Sequence, residues 1–440
     1  MTRFSATCTC STFRSSAGSL YLAILLVVAS LISSPAGALA APPRVSAPNF
    51  ILIDSSTGQV LIEQASNDKA YPASTTKIAT ACVVLSRANL ADRITVPKEA
   101  RVGGSNIFLG AGSQISVEDA LYALMLSSAN DSAVTLAHAV SGSVPAFAQE
   151  MNKFAKEAGA TDTNFANPHG LPDDNHYTTA LDLALVAKAA LSNSTFRKIA
   201  GTQTREVTIT GDGERRETLT NHNRMLWWYD GCTGMKTGFT NQSRQTIVAS
   251  AMRNGRELIA VALGSSSSTA MWRDAALLLD LGFASFRPKE VVTKGQRLAE
   301  APVIQGRTQV EAGAAASLTF LSGDSVPELV VRPVFDQDLR APLRAGQKVG
   351  VAVVTQRGRE LGRVDMVSRQ DVAKVSIISS INVNPAFYTL PLAALLSLLA
   401  LGLSRRAQRR LLAQDRTPPR PRLWRERRSS QNHDRHSSDR

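Results

Sequence analysis

The chain has 440 residues, 44% of them hydrophobic, which is enough for two globular domains with cores of their own. Its formal net charge of +13 lies mostly at the ends, because residues 1–40 contribute +2, and twelve arginines against four acidic residues give residues 404–440 a charge of +8. Residues 41–403 keep the remaining +3, so the folded part of the chain is close to neutral. Nucleic-acid binding is disfavoured because the arginines are concentrated in the terminal tail, where Trp424 is the single interleaved aromatic residue.

The N-terminal segment has the three parts of a secretory signal peptide. Arg3 and Arg14 precede the apolar run Leu20–Ile32, and the small-residue sequence Ala38-Leu39-Ala40 follows it. Residues 1–40 are therefore predicted to be a signal peptide, with a retained signal anchor as the alternative.

Four cysteines are too few for a disulfide framework once the signal is removed. Cys8 and Cys10 leave with the signal, so Cys82 and Cys232 remain. One bridge between them is chemically allowed in an oxidising compartment, and the sequence leaves it open.

Residues 45–287 are predicted to form an α+β domain, because helical segments follow an opening hairpin and precede a later run of strands. Asn49–Gln64 reads as a hairpin, and residues 205–210 and 246–264 read as strands. Apolar periodicity predicts helices over 74–87, 117–126, 130–140, 145–158, 180–192 and 270–283. This order favours helices packed on an antiparallel sheet, with the first strands returning to join the last.

The pattern changes after residue 287. Short apolar strands without a long helix predict a small β domain over 288–372. The uncharged run 386–403 is long enough to predict a transmembrane helix, with a buried soluble helix as the alternative. Arginines follow at once, so residues 404–440 are predicted to be a basic cytoplasmic tail that meets anionic lipid. The protein is thus expected in the cell membrane as a single-pass protein with residues 45–372 outside the cytoplasm.

Ser74 and Lys77 have the spacing of a nucleophile and its base. Residues three apart share one face of a helix, so the lysine amine can take the serine proton if burial keeps it neutral. The same spacing occurs by chance at Ser66 and Lys69, where no apolar helical face follows. For Ser74 alone, a helix cap is an equally good interpretation.

Two further motifs follow in the chain. Ser128-Ala129-Asn130 lies between two apolar helical stretches and can present a hydroxyl and an amide to a cleft, although a helix cap is the alternative. Lys236-Thr237-Gly238 begins a strand and can offer a cation, a hydroxyl and backbone N–H groups; a solvated lysine is the alternative.

In this order the three motifs match the signature of β-lactamases and penicillin-binding proteins. The surrounding sequences AYPASTTKIAT, NPHGLPDDNHYTTALDLA and DGCTGMKTGFT resemble the low-molecular-mass penicillin-binding proteins that are serine-type D-alanyl-D-alanine carboxypeptidases. The resemblance covers roughly residues 45–287, and a β domain with a C-terminal anchor matches the usual layout of that family. It implies a penicillin-binding, β-lactamase-like fold and neither a cofactor nor a metal.

The resemblance also implies the chemistry. The substrate would be a peptidoglycan stem peptide, and β-lactams would act as suicide substrates. Ser74 would form the acyl-enzyme with the penultimate D-alanine, Lys77 would be the general base, and Ser128 would relay protons.

The remaining implied roles concern substrate binding. Asn130 would hold the peptide amide, and Lys236 and Thr237 would bind the terminal carboxylate. The backbone N–H groups of Ser74 and Phe239 would form the oxyanion hole. His169 lies in a family motif, but a structural histidine is at least as good an interpretation.

Some positions depart from the family pattern. Ser243 and Arg244 stand where relatives often have Ala-Gly, and Ala129 replaces a common glycine. Near Met271 the family commonly has an arginine that helps to hold the carboxylate, and here Arg273 is the nearest one.

Three rival functions remain. A class A β-lactamase is disfavoured because no Glu-x-x-Leu-Asn sequence occurs between the second and third motifs. A DD-endopeptidase or transpeptidase of the same fold is chemically close. An inactive wall-binding scaffold is disfavoured because every motif residue is present.

Overall fold

The computed structural model of the protein describes residues 44–211, 213–324, 326–375 and 386–413. The predicted signal peptide and most of the predicted tail lie outside the described residues. The helices are α1 (Lys77–Arg87), α2 (Val117–Met125), α3 (Asn130–Ser141), α4 (Val144–Glu157), α5 (Ala180–Leu191), α6 (Ser194–Ala200), α7 (Met225–Trp228), α8 (Ser268–Ser285) and α9 (Ala386–Ala413). Short 3-10 helices span Ala73–Thr76 and Lys98–Ala100.

The strands fall into a first group before α8 and a second group after it. The first group is β1 (Asn49–Asp54), β2 (Val60–Gln64), β3 (Arg93–Thr95), β4 (Gln114–Ser116), β5 (Thr204–Gly211), β6 (Gly213–Thr220), β7 (Cys232–Thr240), β8 (Arg244–Arg253) and β9 (Arg256–Ser265). The second is β10 (Arg287–Val292), β11 (Arg297–Ala301), β12 (Val310–Ala314), β13 (Leu318–Ser322), β14 (Leu329–Phe335), β15 (Lys348–Gln356) and β16 (Arg359–Ser368).

A five-stranded antiparallel sheet in the order β2-β1-β9-β8-β7 organises the first part of the chain. The first hairpin returns to join the last strands, as predicted, with Leu52 of β1 opposite Ala260 of β9. Strand β7 forms one edge of this sheet.

Both faces of the sheet are covered, which explains the unbroken apolar runs in β8 and β9. Ile259 and Val261 belong to the core shared with α1, α2 and α5, whereas the alternate residues Leu258 and Ala260 belong to the core under α8. Helix α8 lies so close that a Cβ on Gly282 would come within 2.5 Å of Leu258 Cδ1.

A four-stranded sheet in the order β3-β4-β5-β6 was not predicted in full. Strand β6 reads GERRETLT and is mostly exposed, so it lacks the apolar alternation that indicates a strand. It forms because it pairs along its whole length with β5. The predicted helix over 74–87 begins as a 3-10 turn and continues as α1.

The strands after α8 form a separate layer with a core of its own. A five-stranded sheet in the order β11-β12-β16-β15-β14 lies beside the pair β10-β13. Buried residues between them include Val292, Val310, Phe320, Val354 and Met366.

Two buried glutamines join the two parts of the chain. Gln59 Nε2 donates to Leu321 O at 2.7 Å, and Gln59 Oε1 accepts from Leu321 N at 2.8 Å. Gln356, which lies in the second part of the chain, binds the first part in the same way. Its Oε1 accepts from Val60 N, and its Nε2 donates to Val60 O.

Helix α9 is long and apolar enough to cross a membrane. The stretch Thr389–Arg409 has a mean hydropathy of 1.4, and none of it is buried against the rest of the described chain. The helix contains Pro391 and continues past the first arginines to Ala413.

Cys82 and Cys232 are both free thiols. Cys82 packs against the core on the α1 side of the sheet, and Cys232 packs against the core under α8. The disulfide that the sequence left open is therefore not formed in this structure.

Candidate active site

Ser74 lies in the 3-10 turn just before α1, and Lys77 is the first residue of α1. The turn is fixed by hydrogen bonds to Pro72 O from Thr75 Oγ1 at 2.6 Å and from Thr246 Oγ1 at 3.0 Å. Ala73 has a φ of +49°, which is rare for a residue with a side chain. Such strain is held in place by surrounding contacts and is frequent at functional sites.

Lys77 is fully buried, and its Nζ contacts three oxygens. Nζ lies 3.0 Å from Ser74 Oγ, 2.6 Å from Asn130 Oδ1 and 2.7 Å from His169 O. Burial lowers the pKa of Lys77 well below its ordinary value, and the charge of Lys236 lowers it further, while Asp131 opposes both. The amine is therefore positioned and tuned to accept a proton.

The loop Asn167–Leu171 supplies the carbonyl that contacts Lys77. Asn167 Oδ1 accepts from the backbone N of Gly170 at 2.7 Å, and Asn167 Nδ2 donates to Leu171 O at 3.1 Å. Gly170 has a φ of +87°, and a Cβ there would lie 1.9 Å from Ala73 O. The loop can therefore approach the Ser74 turn this closely with glycine at position 170.

His169 contributes its backbone to the site. Its ring Nδ1 accepts from Leu171 N at 3.1 Å, and burial lowers the pKa of His169 to about 3, so the ring is neutral at physiological pH. The structural interpretation of this histidine is the one that the geometry supports.

His176, which the sequence did not single out, supports the same turn. Its Nδ1 accepts from Ala166 N at 3.0 Å, so the neutral ring carries its proton on Nε2 and donates to Thr76 Oγ1 at 2.8 Å. Burial lowers the pKa of His176 to about 4.

Ser128 and Asn130 lie at the junction of α2 and α3. Ser128 has a φ of +60° and is 4% exposed. Asn130 is held by its backbone N, which donates to Ser105 O at 2.7 Å, and by Nδ2, which donates to Gly103 O at 2.6 Å. The loop that contains Gly103 and Ser105 therefore forms one wall beside Asn130.

Strand β7 forms the opposite wall. Lys236 is 1% exposed, its Nζ donates to Thr237 O at 2.9 Å, and burial lowers its pKa to about 7. A Cβ on Gly238 would lie 2.6 Å from Ser74 N, so the strand passes directly against the Ser74 turn. The phenyl ring of Phe239 is 58% exposed.

The predicted residues surround one cleft of about 580 Å³. Its lining includes Ser74, Ser128, Asn130, Thr237 and Phe239. Lys77 and Lys236 are buried behind this lining. Lys77 Nζ contacts Ser74 Oγ, and Lys236 Nζ contacts Thr237 O. Within the described ranges, no cluster of three or more His, Cys, Asp or Glu side chains is arranged to hold a metal ion.

Two family models match the chain. Residues 36–267 match the model described as D-alanyl-D-alanine carboxypeptidase, and residues 286–374 match the C-terminal domain of penicillin-binding protein 5. The chain belongs to the D-alanyl-D-alanine carboxypeptidase family. This confirms the family and the fold class that the sequence predicted.

Individual members of the family support the assignment over most of the chain. The D-alanyl-D-alanine carboxypeptidase DacF of Bacillus subtilis is 30% identical over 342 residues, which are 76% of this chain and 87% of the relative. The crystal structure of penicillin-binding protein 5 from Haemophilus influenzae matches with a TM-score of 0.60 and 29% identity, covering 76% of this chain and 100% of that one. The Streptomyces K15 DD-transpeptidase matches with a TM-score of 0.53 and 32% identity, covering 56% of this chain and 100% of that one.

This member of the carboxypeptidase family has cleft residues that the sequence did not predict. His222 and Arg224 line the cleft together with Met271 and Trp272. The sequence signal near these two residues is a pair of asparagines, Asn221 and Asn223, which flank His222 and precede Arg224. Their side chains hold the loop in place. Asn221 Nδ2 donates to Thr202 O at 2.9 Å, for example.

Proposed function

We propose that the chain is a serine-type D-alanyl-D-alanine carboxypeptidase that forms an acyl-enzyme on Ser74. The observation that carries this proposal is the 3.0 Å distance between Ser74 Oγ and the fully buried Lys77 Nζ. A hydroxyl beside a desolvated amine is an activated nucleophile. The substrate is a peptidoglycan stem peptide, from which the enzyme releases the terminal D-alanine.

Lys77 acts as the base in its neutral form. A neutral amine has two N–H donors and one lone pair. Asn130 Oδ1 and His169 O accept the two N–H groups, which directs the lone pair to Ser74 Oγ. The lowered pKa of Lys77, caused mainly by burial, favours this neutral form.

Acylation begins when Ser74 Oγ attacks the carbonyl carbon of the penultimate D-alanine and its proton passes to Lys77. The backbone N–H groups of Ser74 and Phe239 donate to the oxyanion, and each such donor contributes about 3 kcal/mol. The contact of Gly238 with Ser74 N supports this pair of donors, because Phe239 is the next residue of the same strand.

The leaving amine receives its proton through Ser128, whose hydroxyl both donates and accepts. Breakage of the C–N bond releases D-alanine and leaves the ester on Ser74. Water then attacks the ester, its proton passes back through the same groups, and Ser74 recovers its hydroxyl. The position of Ser128 in the cleft wall supports this role.

Substrate binding uses the amide of Asn130 and the start of β7. Asn130 Nδ2 donates one of its two N–H groups to Gly103 O, and the second is available for a substrate carbonyl. Thr237 offers its hydroxyl to the terminal carboxylate, and the buried amine of Lys236 lies behind it and supports the same binding site. A β-lactam enters the same cleft and acylates Ser74, and its opened ring stays tethered to the adduct.

A second candidate activity is transfer of the acyl group to an amine instead of water. The specific support is the similarity to the Streptomyces K15 DD-transpeptidase. The chemistry up to the acyl-enzyme is the same, so the two activities differ in the group that attacks the ester.

We further propose that the enzyme is anchored in the cell membrane through α9 with its catalytic part outside the cytoplasm. The apolar stretch Thr389–Arg409 supports the anchor, and the arginines that follow 403 support a cytoplasmic C-terminus.

The test is acylation of the full-length protein in detergent with labelled penicillin, followed by mass spectrometry of the adduct. We expect the label on Ser74 and a rate reduced by about 100-fold or more in Lys77→Ala, because a positioned general base contributes a factor of this order. Release of free D-alanine from a pentapeptide then distinguishes an active enzyme from an inactive scaffold. Because both activities release D-alanine, hydrolysis is recognised by a free tetrapeptide and transfer by a tetrapeptide joined to an added acceptor amine.

The matched control is Lys69→Ala, which removes the lysine of the chance Ser66-x-x-Lys69 pair. Ser66 Oγ donates to Glu63, and Lys69 lies over the ring of Tyr177. This variant should be acylated at the wild-type rate. Folded wild-type protein with no label on Ser74 would disprove the mechanism.

A further inference from the structure

The cleft has little positive charge of its own with which to hold a substrate carboxylate. Lys236 is buried, its ammonium is engaged with Thr237 O, and its pKa of about 7 leaves it partly neutral at physiological pH. His222 lines the cleft, but burial lowers its pKa to about 4, so it is neutral. Among the described residues that line the cleft, this leaves the guanidinium of Arg224 as the cationic side chain.

The backbone around Arg224 is held in place by its neighbours, whereas its side chain extends into the cleft. Asn223 Oδ1 accepts from Met225 N at 3.2 Å, and the Met225 side chain is fully buried beside it. The Arg224 side chain is exposed, and within the described part of the chain its guanidinium has no carboxylate or carbonyl partner. A guanidinium aimed into a cleft without a protein partner is available for a ligand.

The position where relatives commonly have an arginine cannot supply this charge. Met271, near which the family pattern has that arginine, lines the cleft and is 2% exposed. Arg273 is two residues further along α8, and residues two apart on a helix do not share a face. Arg273 is exposed and is not part of the cleft lining.

We propose that Arg224 binds the C-terminal carboxylate of the substrate, together with the hydroxyl of Thr237, and so selects for peptides with a free C-terminus. This inference rests on the proposed function, because it assigns a residue to the same cleft. A bidentate pair between guanidinium and carboxylate suits this role, since both groups are planar and the pair is charge-assisted.

The experiment compares benzylpenicillin with its methyl ester as acylating agents of the full-length protein. Benzylpenicillin, like D-alanyl-D-alanine, carries its carboxylate on the carbon attached to the scissile amide nitrogen, and the ester lacks that charge. The second-order rate of Ser74 acylation is measured by mass spectrometry for wild type, Arg224→Ala, Arg224→Lys and the control Arg273→Ala.

We expect Arg224→Ala to slow acylation by the acid by about 10- to 100-fold, the value of a lost charge-assisted hydrogen-bonded pair, and to leave acylation by the ester unchanged. Arg224→Lys should restore part of the rate, because it keeps the charge and loses the fork of donors. Arg273→Ala should behave as wild type with both compounds.

An unchanged ratio of acid to ester rates in Arg224→Ala would overturn this inference and leave the acyl-enzyme mechanism intact. Equal slowing of acylation by both compounds would also overturn this inference, because it indicates a general effect on the cleft and no specific contact with the carboxylate. Failure of the wild type to be acylated by either compound would overturn the proposed function and this inference with it. The true partner of Arg224 could instead be a second carboxylate in the stem peptide. In that case Arg224→Ala would lose peptide cleavage, while the ratio of acylation rates by benzylpenicillin and its methyl ester would not change, and this inference would be overturned.

Discussion

Two buried lysines share one site in this protein, and that arrangement has an energetic cost. Lys77 is fully buried and Lys236 is 1% exposed. Removing an ammonium group from water is so unfavourable that buried lysines lose their proton more readily. In Lys77 the neighbouring charge of Lys236 adds to that effect. The fold thus gives up stability to obtain an amine that can act as a base.

The lowered pKa of Lys236 predicts a pH-dependent stability. Its ordinary pKa is 10.5, and burial lowers it to about 7 in the folded protein. Between these values the unfolded chain holds a proton that the folded protein lacks, so the free energy of unfolding rises with pH and the gain is lost on acidification. From pH 7.5 to 8.5, urea unfolding should show a rise up to about 1.4 kcal/mol larger in wild type than in Lys236→Met.

The control for this prediction is Lys69→Met, which removes an exposed lysine. Its stability should change with pH as that of the wild type does. A rise of the same size in Lys236→Met and wild type would show that Lys236 keeps its proton in the folded protein.

For individual residues of the cleft, the sequence predicted those that belong to a motif and missed those that do not. Ser74, Ser128 and Lys236 each belong to a short pattern with a chemical meaning, and the structure brings these patterns to one cleft. Arg224 has no such pattern, because its place in the cleft depends on the tertiary arrangement that puts it beside Thr237 and Phe239 of β7. The catalytic roles themselves stay predictions.

Among the structural elements, the loop Asn167–Leu171 packs directly against the Ser74 turn. It holds His169 O on Lys77 Nζ, and Gly170 packs against Ala73 O. Since Ala73 is itself at a positive φ, the turn and the loop restrain each other. The orientation of the Lys77 amine therefore depends on a segment about 90 residues later in the chain.

Gly170→Ala should lower the free energy of unfolding by roughly 3 kcal/mol or more and slow acylation of Ser74. The added Cβ has both an unfavourable φ of +87° and a backbone clash with Ala73 O. Gly112→Ala is the matched control, because Gly112 also has a φ of +87° but nothing lies within 4 Å of its Cβ position. It should cost about 1 kcal/mol and leave acylation unchanged. Equal effects of the two substitutions on acylation would contradict the proposed contact.

Secondary structure was predictable where one face of an element is buried. The helices over 117–126, 130–140 and 180–192 agree with α2, α3 and α5 to within one residue at each end. Strands β3, β4 and β6 were missed because they are short or charged. Strand β4 pairs with β5 far along the chain, whereas β6 pairs with its neighbour β5 in a hairpin.

In the whole molecule, the two parts of the chain are joined by buried polar contacts. Gln356 on β15 is 2% exposed and hydrogen-bonds both backbone groups of Val60 on β2, and its Nε2 also lies 3.1 Å from Pro327 O. Arg359 Nη2 donates to Gly58 O in the same region. Such paired amides fix the orientation of the β layer on the central sheet, because no other alignment satisfies the same groups.

Gln356→Ala should lower the free energy of unfolding by roughly 3 kcal/mol and split thermal unfolding into two steps. The substitution leaves the N–H and C=O of Val60 buried without their partner, at about 1 to 3 kcal/mol for each group. The exposed Gln337→Ala is the control and should unfold as the wild type does. A single unshifted transition in Gln356→Ala would mean that the two parts are held together by other contacts.

The sequence by itself determined the family, the α+β fold class and the three motifs, because these depend on local patterns that the chain carries wherever it folds. The order of the three motifs and the sequences around them also predicted the enzyme class through their resemblance to the carboxypeptidase family, whereas the Ser74 and Lys77 spacing alone did not. The tertiary structure decided the rest: that Lys77 is buried between Asn130 and His169, that Lys236 lies behind the cleft wall, and that Arg224 enters the cleft. These properties arise from contacts between segments far apart in the chain, and burial, charge and hydrogen-bond partners are defined only when those segments meet.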